Sequence, residues 1–120
     1  MMEGREAAPT ILVVDDDPDV RLIVAEFLED FGYSVLQAAG GAEALEMLEQ
    51  HPDLGMIITD VRMPDMSGLE LAERAAERRR DLKIILTSGY FLPQTVARRF
   101  LRKPFRMKEL EAAVRAELAA

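Results

Sequence analysis

Short apolar runs of strand length alternate along the chain with longer segments in which apolar residues recur at helical spacing. These patterns predict strands at 10–15, 34–38, 56–60, 83–88 and 100–102, and helices at 18–31, 41–50, from Ser67 or Asp65 to about 79, and 107–120. Strands that alternate with helices are typical of a parallel sheet with helices on both faces. The chain is therefore expected to fold as one doubly wound α/β domain over residues 10–120, with a flexible tail at 1–9.

The first predicted helix has clear boundaries and a continuous apolar face. Asp17 is a plausible N-cap because its carboxylate can accept hydrogen bonds from backbone amides of the first turn, and Pro18 suits the first helical position. Gly32 ends the helix. Asp17 is thus assigned to capping. The residues expected to face the core are Val20, Ile23, Val24, Phe27, Leu28 and Phe31.

Polar and charged side chains follow the ends of four predicted strands. In an open parallel sheet, binding sites form at the carboxyl ends of the strands, where the strand order reverses. With the order 2-1-3-4-5, the first and third strands are neighbours at that point, and they end at Asp15, Asp16 and Asp60. The fourth strand ends at Ser88, and the fifth is followed by Lys103. One edge of the sheet is therefore expected to gather three carboxylates, a hydroxyl and an ammonium group.

Three carboxylates in one small pocket repel one another, so the pocket favours a bound cation. The chain has no cysteine and a single histidine, which argues against a soft metal and for Mg²⁺. Mg²⁺ commonly keeps a coordination position for a phosphoryl oxygen, and an aspartate beside it can act as a nucleophile and become an aspartyl-phosphate. Lys103 would add a second neutralising charge, and Ser88 could donate a hydrogen bond to a phosphoryl oxygen.

The charge of the chain is negative overall and unevenly distributed. A net charge of −7 argues against a general nucleic-acid or membrane-surface binder. No apolar run is long enough to span a membrane, and the lack of cysteine fits a reducing cytoplasm. Residues 82–108, which include Arg98 and Arg99, carry seven bases and no acid. This stretch predicts either a solvated basic face or a surface for an acidic partner protein.

Four segments carry a family resemblance: VVDDDP at 13–18, DVRMP at 60–64, TSG at 87–89 and KPF at 103–105. Together they resemble the motifs of response-regulator receiver domains of two-component signalling, over nearly the whole chain after residue 9. The resemblance implies a flavodoxin-like fold, a bacterial, stand-alone receiver similar to chemotaxis regulators, and a cis peptide bond between Lys103 and Pro104. It also implies that a histidine kinase or a histidine phosphotransfer protein supplies the phosphoryl group.

The resemblance also implies a role for each residue of the predicted site. Asp60 would be the phosphoacceptor, and Lys103 would pair with the phosphoryl group. Asp16 would bind Mg²⁺ directly, and Asp15 would bind it through a water molecule. Asp60 and the backbone carbonyl of Arg62 would complete the protein ligands of the metal.

Other residues would sense or prolong the phosphorylated state. By resemblance, Ser88 would be the switch hydroxyl, with Thr87 as the other candidate, and Phe100 would occupy the aromatic switch position. Arg62 and Tyr90 lie two residues after the acceptor and two after Ser88. They would limit the access of water to the phosphoryl group and so set its lifetime.

Some features leave alternatives open. The segment between Ser88 and Lys103 is shorter than in most family members and contains Pro93, so the fourth helix is expected to be short or absent. A Mg²⁺-dependent phosphatase with an aspartate nucleophile would use similar chemistry, but such enzymes usually carry a second acid where this chain has Arg62. A degenerate receiver that only binds proteins is a third possibility. We expect a phosphoacceptor that is not an enzyme, and the sequence names neither its kinase nor its downstream partner.

Overall fold

Five parallel strands and four helices make up the part of the chain that the structure, a computed structural model, describes: residues 9–90 and 98–120. In chain order the elements are β1 (Thr10–Val14), α1 (Pro18–Asp30), β2 (Val35–Ala38), α2 (Gly41–Gln50), β3 (Leu54–Asp60), α3 (Gly68–Arg78), β4 (Lys83–Ser88), β5 (Arg99–Arg102) and α4 (Met107–Ala119). The strand order is β2-β1-β3-β4-β5, and every neighbouring pair is parallel. The predicted α/β fold and strand order are confirmed.

The central strands are apolar throughout because helices cover both faces of the sheet. In β1, Leu12 and Val14 pack on one face, and Ile11 and Val13 pack on the other. Helices α2 and α3 complete the core on the first face, and α1 and α4 complete it on the second. A strand that is buried on both faces has a continuous apolar sequence, and its polar groups are left to its ends. This arrangement places the acids after β1 and β3 at an edge of the sheet.

The boundaries and the core differ from the prediction at a few places. β3 begins at Leu54, two residues earlier than predicted, and β5 begins at Arg99. Ile23 is predicted to face the core, but it is 49% exposed, so that prediction is wrong. The buried stripe of α1 runs through Val24, Ala25 and Leu28. Ala25 and Ile23 flank Val24 on opposite sides of the helix. Because Ala25 faces the core, Ile23 faces solvent.

Two predictions concern residues outside the described part of the chain. The flexible tail at 1–9 lies outside it except for Pro9, and the short or absent fourth helix falls on residues 91–97, which also lie outside it. Within the described residues, no helix combines the length and the apolar character needed to cross a membrane. The Lys103–Pro104 peptide bond is cis, in agreement with the family resemblance.

Candidate functional site

The carboxyl ends of four strands bring the predicted site residues to one edge of the sheet. Asp15 directly follows β1, and Asp60 is the last residue of β3. Ser88 is the last residue of β4, and Lys103 directly follows β5. Carboxylate oxygens of Asp15, Asp16 and Asp60 all lie within 4.8 Å of one another. The fold therefore assembles the three acids and the lysine that the sequence indicates.

Asp15 is the most constrained of the three acids. Its Oδ2 accepts a hydrogen bond from Nζ of Lys103 at 2.8 Å, and its Oδ1 accepts one from the backbone amide of Asp17 at 2.9 Å. Its side chain is only 6% exposed. Because an unpaired charge away from water is costly, a buried carboxylate requires partners of this kind. Both oxygens of Asp15 are thus used within the fold.

Lys103 lies between two carboxylates and contacts both. Its Nζ is 2.8 Å from Oδ2 of Asp15 and 3.5 Å from Oδ2 of Asp60, so the shorter contact is not to the predicted acceptor. Burial alone would lower the pKa of the Lys103 ammonium. The hydrogen bond to Asp15 and the charges of Asp15 and Asp60 outweigh burial and raise that pKa above its ordinary value. The lysine therefore stays charged and offsets part of the negative charge at this edge of the sheet.

Asp60 lies in a different electrostatic environment from Asp15. Burial raises the pKa of Asp60, and the charge of Asp15 adds to the rise, while Lys103 opposes it. The net direction is upward because the closer contact of Lys103 is to Asp15, which leaves the desolvation of Asp60 only partly compensated. A carboxylate with a perturbed pKa beside a cleft is typical of functional sites.

The backbone around Asp60 is held by tight contacts. The amide of Val61 donates to the carbonyl of Thr87 at 2.9 Å, and the amide of Gly68 donates to the carbonyl of Val61 at 2.8 Å. A Cβ atom on residue 68 would lie 2.1 Å from the carbonyl oxygen of Asp60. Only glycine therefore allows α3 to begin this close to the end of β3. No sequence pattern indicates this requirement, because it depends on a close approach that exists only in the folded chain.

The three acids suit a hard cation. Within residues 9–90 and 98–120, they form the only group of three or more His, Cys, Asp or Glu side chains close enough to share a metal ion. Asp16 is exposed and lines a cleft of 590 Å³ between the loops after β1 and β3, together with Arg62. All the donors are carboxylate oxygens, and the cleft leaves room for water molecules. Both properties fit Mg²⁺, which prefers oxygen ligands and keeps several waters.

Ser88 and Phe100 lie on the same face of the sheet. Leu86 pairs with Phe100 in the register of β4 and β5, and alternation along β4 places Ser88 on the face of Leu86 and Thr87 on the opposite one. Ser88 is buried, and Phe100 packs against the core cluster that contains Leu86. Ser88 therefore lies on the same face of the sheet as Phe100, and Thr87 lies on the opposite face.

Arg62 and Tyr90, the residues expected to set the phosphoryl lifetime, contact each other. The guanidinium carbon of Arg62 lies 4.6 Å from the centre of the Tyr90 ring, a distance typical of a cation–π interaction. The amide of Tyr90 also donates to Oγ of Ser88 at 3.0 Å. The pair therefore joins the loop that follows Asp60 to the loop that follows Ser88.

Arg21 is absent from the predicted site, but it also reaches this region. Its Nη1 donates to the backbone carbonyl of Asp15 at 2.7 Å, and its Nε donates to Oε1 of Gln37 at 3.2 Å. The sequence does contain a signal, because Arg21 is the only lysine or arginine between residues 6 and 61. A single base among so many acids is a candidate for a specific contact.

Known proteins resemble this chain over most of its length. The family described as response regulator receiver domain matches residues 11–115. The response regulator receiver protein CpdR of Brucella abortus (strain 2308) is 39% identical over 107 residues, which cover 83% of this chain and 88% of that protein. The sensor kinase CckA of the same organism is 36% identical over 88% of this chain, but the match spans only 12% of the kinase. The response regulator TrrA from Thermotoga maritima, whose crystal structure is a complex with Mg²⁺-BeF, superposes with a TM-score of 0.83 and 32% identity, covering 91% of this chain and 98% of that chain.

Proposed function

We propose that this chain, which belongs to the family of response regulator receiver domains, accepts a phosphoryl group on Asp60 from a phosphohistidine protein. Membership of that family makes the chain a receiver of two-component signalling, with a phosphoacceptor role. We assign the receiver domain to residues 10–120 and the acceptor to the carboxylate at the end of β3. The observation that carries the proposal is the lysine held between this carboxylate and Asp15, with Asp16 beside them.

Asp60 is the best acceptor of the three acids for physical reasons. Both oxygens of Asp15 are engaged, one by Lys103 and one by the amide of Asp17. Asp16 is exposed to solvent, where water would compete with the phosphoryl donor. Asp60 is sheltered, with a side chain that is 12% exposed, yet it lies 3.5 Å from a lysine that can neutralise an incoming phosphoryl oxygen.

In the transfer, an oxygen of Asp60 bonds to phosphorus as the bond between phosphorus and the donor histidine nitrogen breaks. The nitrogen keeps the electron pair of that bond, and Asp60 becomes a mixed anhydride. Lys103 pairs with a phosphoryl oxygen. Asp15, Asp16, Asp60 and the backbone carbonyl of Arg62 would hold Mg²⁺. When it is bound, Mg²⁺ neutralises charge on the phosphoryl oxygens and orients them.

We assign the response to Ser88 and Phe100. The Ser88 hydroxyl accepts a hydrogen bond from the Tyr90 amide, which leaves its own proton available for a phosphoryl oxygen on Asp60. Movement of Ser88 toward that oxygen would alter packing on the face of β4 where Phe100 lies. A change in the exposure of Phe100 would then change the surface offered to a downstream protein.

We assign the lifetime of the phosphoryl group to the Arg62–Tyr90 pair. Two large side chains that contact each other beside the acceptor would exclude the water that hydrolyses the anhydride. Replacing both by asparagine should shorten the lifetime of phosphorylated protein, measured as loss of label after removal of the donor. If the two act as a unit, each single replacement should shorten the lifetime nearly as much as the double one. An unchanged or longer lifetime in the double variant would exclude this role.

An apolar groove beside the site is our candidate docking surface for the phosphohistidine protein. The groove has a volume of 410 Å³ and lies between α1 and the segment after β5. Lys103 lines it and also contacts Asp60, so a partner seated there would lie next to the acceptor. Ile23, which also lines the groove, is 49% exposed and leaves apolar surface uncovered. Ile23→Glu should slow transfer from a phosphohistidine protein and leave labelling by acetyl phosphate unchanged.

Acetyl phosphate with Mg²⁺ tests the acceptor directly. The wild-type protein should gain one phosphoryl group that is stable to acid and labile to hydroxylamine, and Asp60→Asn should gain none. Asp17→Asn is the matched control, since Asp17 caps α1 through its contacts with the amides of Asp19 and Val20. Full labelling of Asp60→Asn would refute the assignment. Rapid turnover of a phosphomonoester would instead favour the phosphatase alternative.

A further inference from the structure

Asp16 depends on its neighbours for its position. Its carboxylate is exposed, and none of the described residues donates a hydrogen bond to it. It nevertheless lies within 4.8 Å of oxygens of Asp15 and Asp60. A metal ligand that accepts no hydrogen bond from the protein is positioned only by the two peptide units that flank it.

The peptide unit after Asp16 is held by the start of α1. The amide of Asp17 donates to Oδ1 of Asp15 at 2.9 Å, and Oδ1 of Asp17 accepts from the amide of Asp19 at 3.0 Å. These contacts connect the loop to the helix. Neither contact fixes the orientation of the peptide unit before Asp16, which links Asp15 to Asp16.

Arg21 fixes that preceding peptide unit. Its Nη1 donates to the carbonyl oxygen of Asp15 at 2.7 Å, and this carbonyl belongs to the peptide that links Asp15 to Asp16. Its Nε donates to Oε1 of Gln37 on β2 at 3.2 Å. Because the donors of a guanidinium group form a rigid planar fork, the contact with Gln37 also sets the direction of the bond to Asp15.

We propose that Arg21 is a positioning residue for the Mg²⁺ site, acting through the Asp15 carbonyl on the direction of the Asp16 carboxylate. The inference rests on the proposed function, because it assumes that Asp16 binds the metal. A simple electrostatic role is the competing account, and it predicts the opposite sign. A positive charge near the acids repels a second cation, so its removal alone would strengthen Mg²⁺ binding. Loss of positioning would weaken it.

Titration of the metal-free protein with Mg²⁺ alone, followed by calorimetry, separates the two accounts. Arg21→Met should bind Mg²⁺ about tenfold more weakly than wild type, the usual scale for loss of an outer contact to a ligand. Arg21→Lys, which keeps the charge and one donor without the planar fork, should recover part of the affinity. Thr10→Val is the control, since it removes the hydrogen bond from Thr10 to Asp53 at the opposite end of β1. It should leave the affinity unchanged.

Each outcome decides between the possibilities. Binding by Arg21→Met that equals or exceeds that of wild type overturns the inference, as does an equal loss in Thr10→Val, which would indicate general destabilisation. No recovery in Arg21→Lys overturns the hydrogen-bond basis, and this variant also serves if the methionine variant fails to fold. A wild-type protein that binds no Mg²⁺ would instead overturn the metal site of the proposed function, whatever the variants do.

Discussion

Lys103→Met tests whether the lysine acts as the internal cation of the metal-free site. The lysine contacts Asp15 at 2.8 Å and Asp60 at 3.5 Å, and those two acids have oxygens within 4.8 Å of each other. Methionine keeps a long apolar side chain for the groove beside α1, which Lys103 also lines. The substitution therefore removes the charge and its hydrogen bonds while it conserves most of the packing.

The geometry sets the expected loss of stability. At 2.8 and 3.5 Å, and with an effective dielectric constant of about 20, the Coulomb attractions of Lys103 are about 6 and about 5 kcal/mol. Desolvation of the ammonium offsets much of this attraction. Removing one partner of a buried pair typically costs about 3–5 kcal/mol. Because 24% of the Lys103 side chain stays exposed, we expect the lower end, about 3 kcal/mol in the free energy of unfolding.

The same substitution should strengthen Mg²⁺ binding. In the metal-free fold, Lys103 occupies an oxygen of Asp15 and neutralises Asp60, so a second cation must compete with it. Without the lysine, the three acids of the site repel one another with no cation between them. We expect Mg²⁺ to bind about tenfold more tightly, which corresponds to about 1.4 kcal/mol. Saturating Mg²⁺ should then return part of the lost stability to the variant.

Urea unfolding in the presence of EDTA, followed by circular dichroism, measures the first effect, and calorimetric titration with Mg²⁺ measures the second. Lys83→Met is the matched control. Lys83 lies at the other end of β4, and its Nζ donates to the carbonyl oxygen of Ala120 at 2.8 Å. It should lose no more than about 1 kcal/mol and keep wild-type Mg²⁺ affinity. Wild-type stability in Lys103→Met, or weaker Mg²⁺ binding, would refute the reasoning.

The pH dependence adds an independent check on Lys103. Its folded-state pKa is raised above the ordinary value of 10.5 by its contacts with Asp15 and Asp60, which outweigh burial. A raised pKa contributes stability that is fully present below the unfolded-state value and is lost as pH rises through the folded-state value. The difference in unfolding free energy between wild type and Lys103→Met should therefore be constant near neutral pH and shrink only above 10.5. A difference that disappears near neutrality would contradict the ion-pair account.

Three further changes probe the site and its supports. Asp65→Ala should lower stability by about 1 kcal/mol in urea unfolding at neutral pH, because the Asp65 carboxylate caps α2 by accepting from the amides of Ala42 at 3.0 Å and Gly41 at 3.3 Å. Those bonds lower the pKa of Asp65, so the loss should fade as pH falls below 3.8, through the folded-state value. Asp60→Asn should raise the thermal midpoint of the metal-free protein, since burial raises the pKa of Asp60 and its ionised form is disfavoured; a lower midpoint would contradict this. Gly68→Ala should cost about 1–3 kcal/mol in urea unfolding and slow labelling by acetyl phosphate, because its Cβ would meet the Asp60 carbonyl oxygen at 2.1 Å.

The fold can be predicted from the sequence because a buried strand is apolar along its length, whereas the residues at its end are polar or charged. β1 is buried along its whole length, and the acids begin directly after it, so one short run indicates both the element and the edge of the sheet. Element boundaries are harder to predict where the composition favours neither a strand nor a loop. The strand predicted from Met56 begins at Leu54 and so includes Gly55, a residue type that is disfavoured in strands. The prediction that Ile23 faces the core is wrong for another reason. Helical spacing does not determine which edge of a broad apolar face turns toward solvent.

The contacts that hold the site were less predictable than its members. Asp15, Asp16, Asp60 and Lys103 could be gathered from strand order alone, because each lies at or just beyond the end of a strand or in the loop that follows. Which acid Lys103 contacts more closely depends on differences of less than 1 Å, and no sequence pattern encodes them. The cap on α2 comes from Asp65, because Gly40 at its own N-cap has no side chain to offer. Such a contact joins residues from separate loops and exists only after the chain has folded.

Three bases of the basic stretch at 82–108 make contacts within the fold. In the folded chain, Lys83 donates to the carbonyl of Ala120, Arg99 pairs with Glu117 at 2.9 Å, and Lys103 pairs with Asp15. These three bases join β4 and β5 to the end of α4 and to the acidic edge of the sheet. Because β5 is short and lies at the edge of the sheet, such contacts help to hold it in place. Charge reversal at Arg99 would break its ion pair with Glu117 and disturb the packing of α4, so it would not test a docking surface alone. Arg98 is the better position for a charge reversal that tests whether this stretch binds an acidic partner protein.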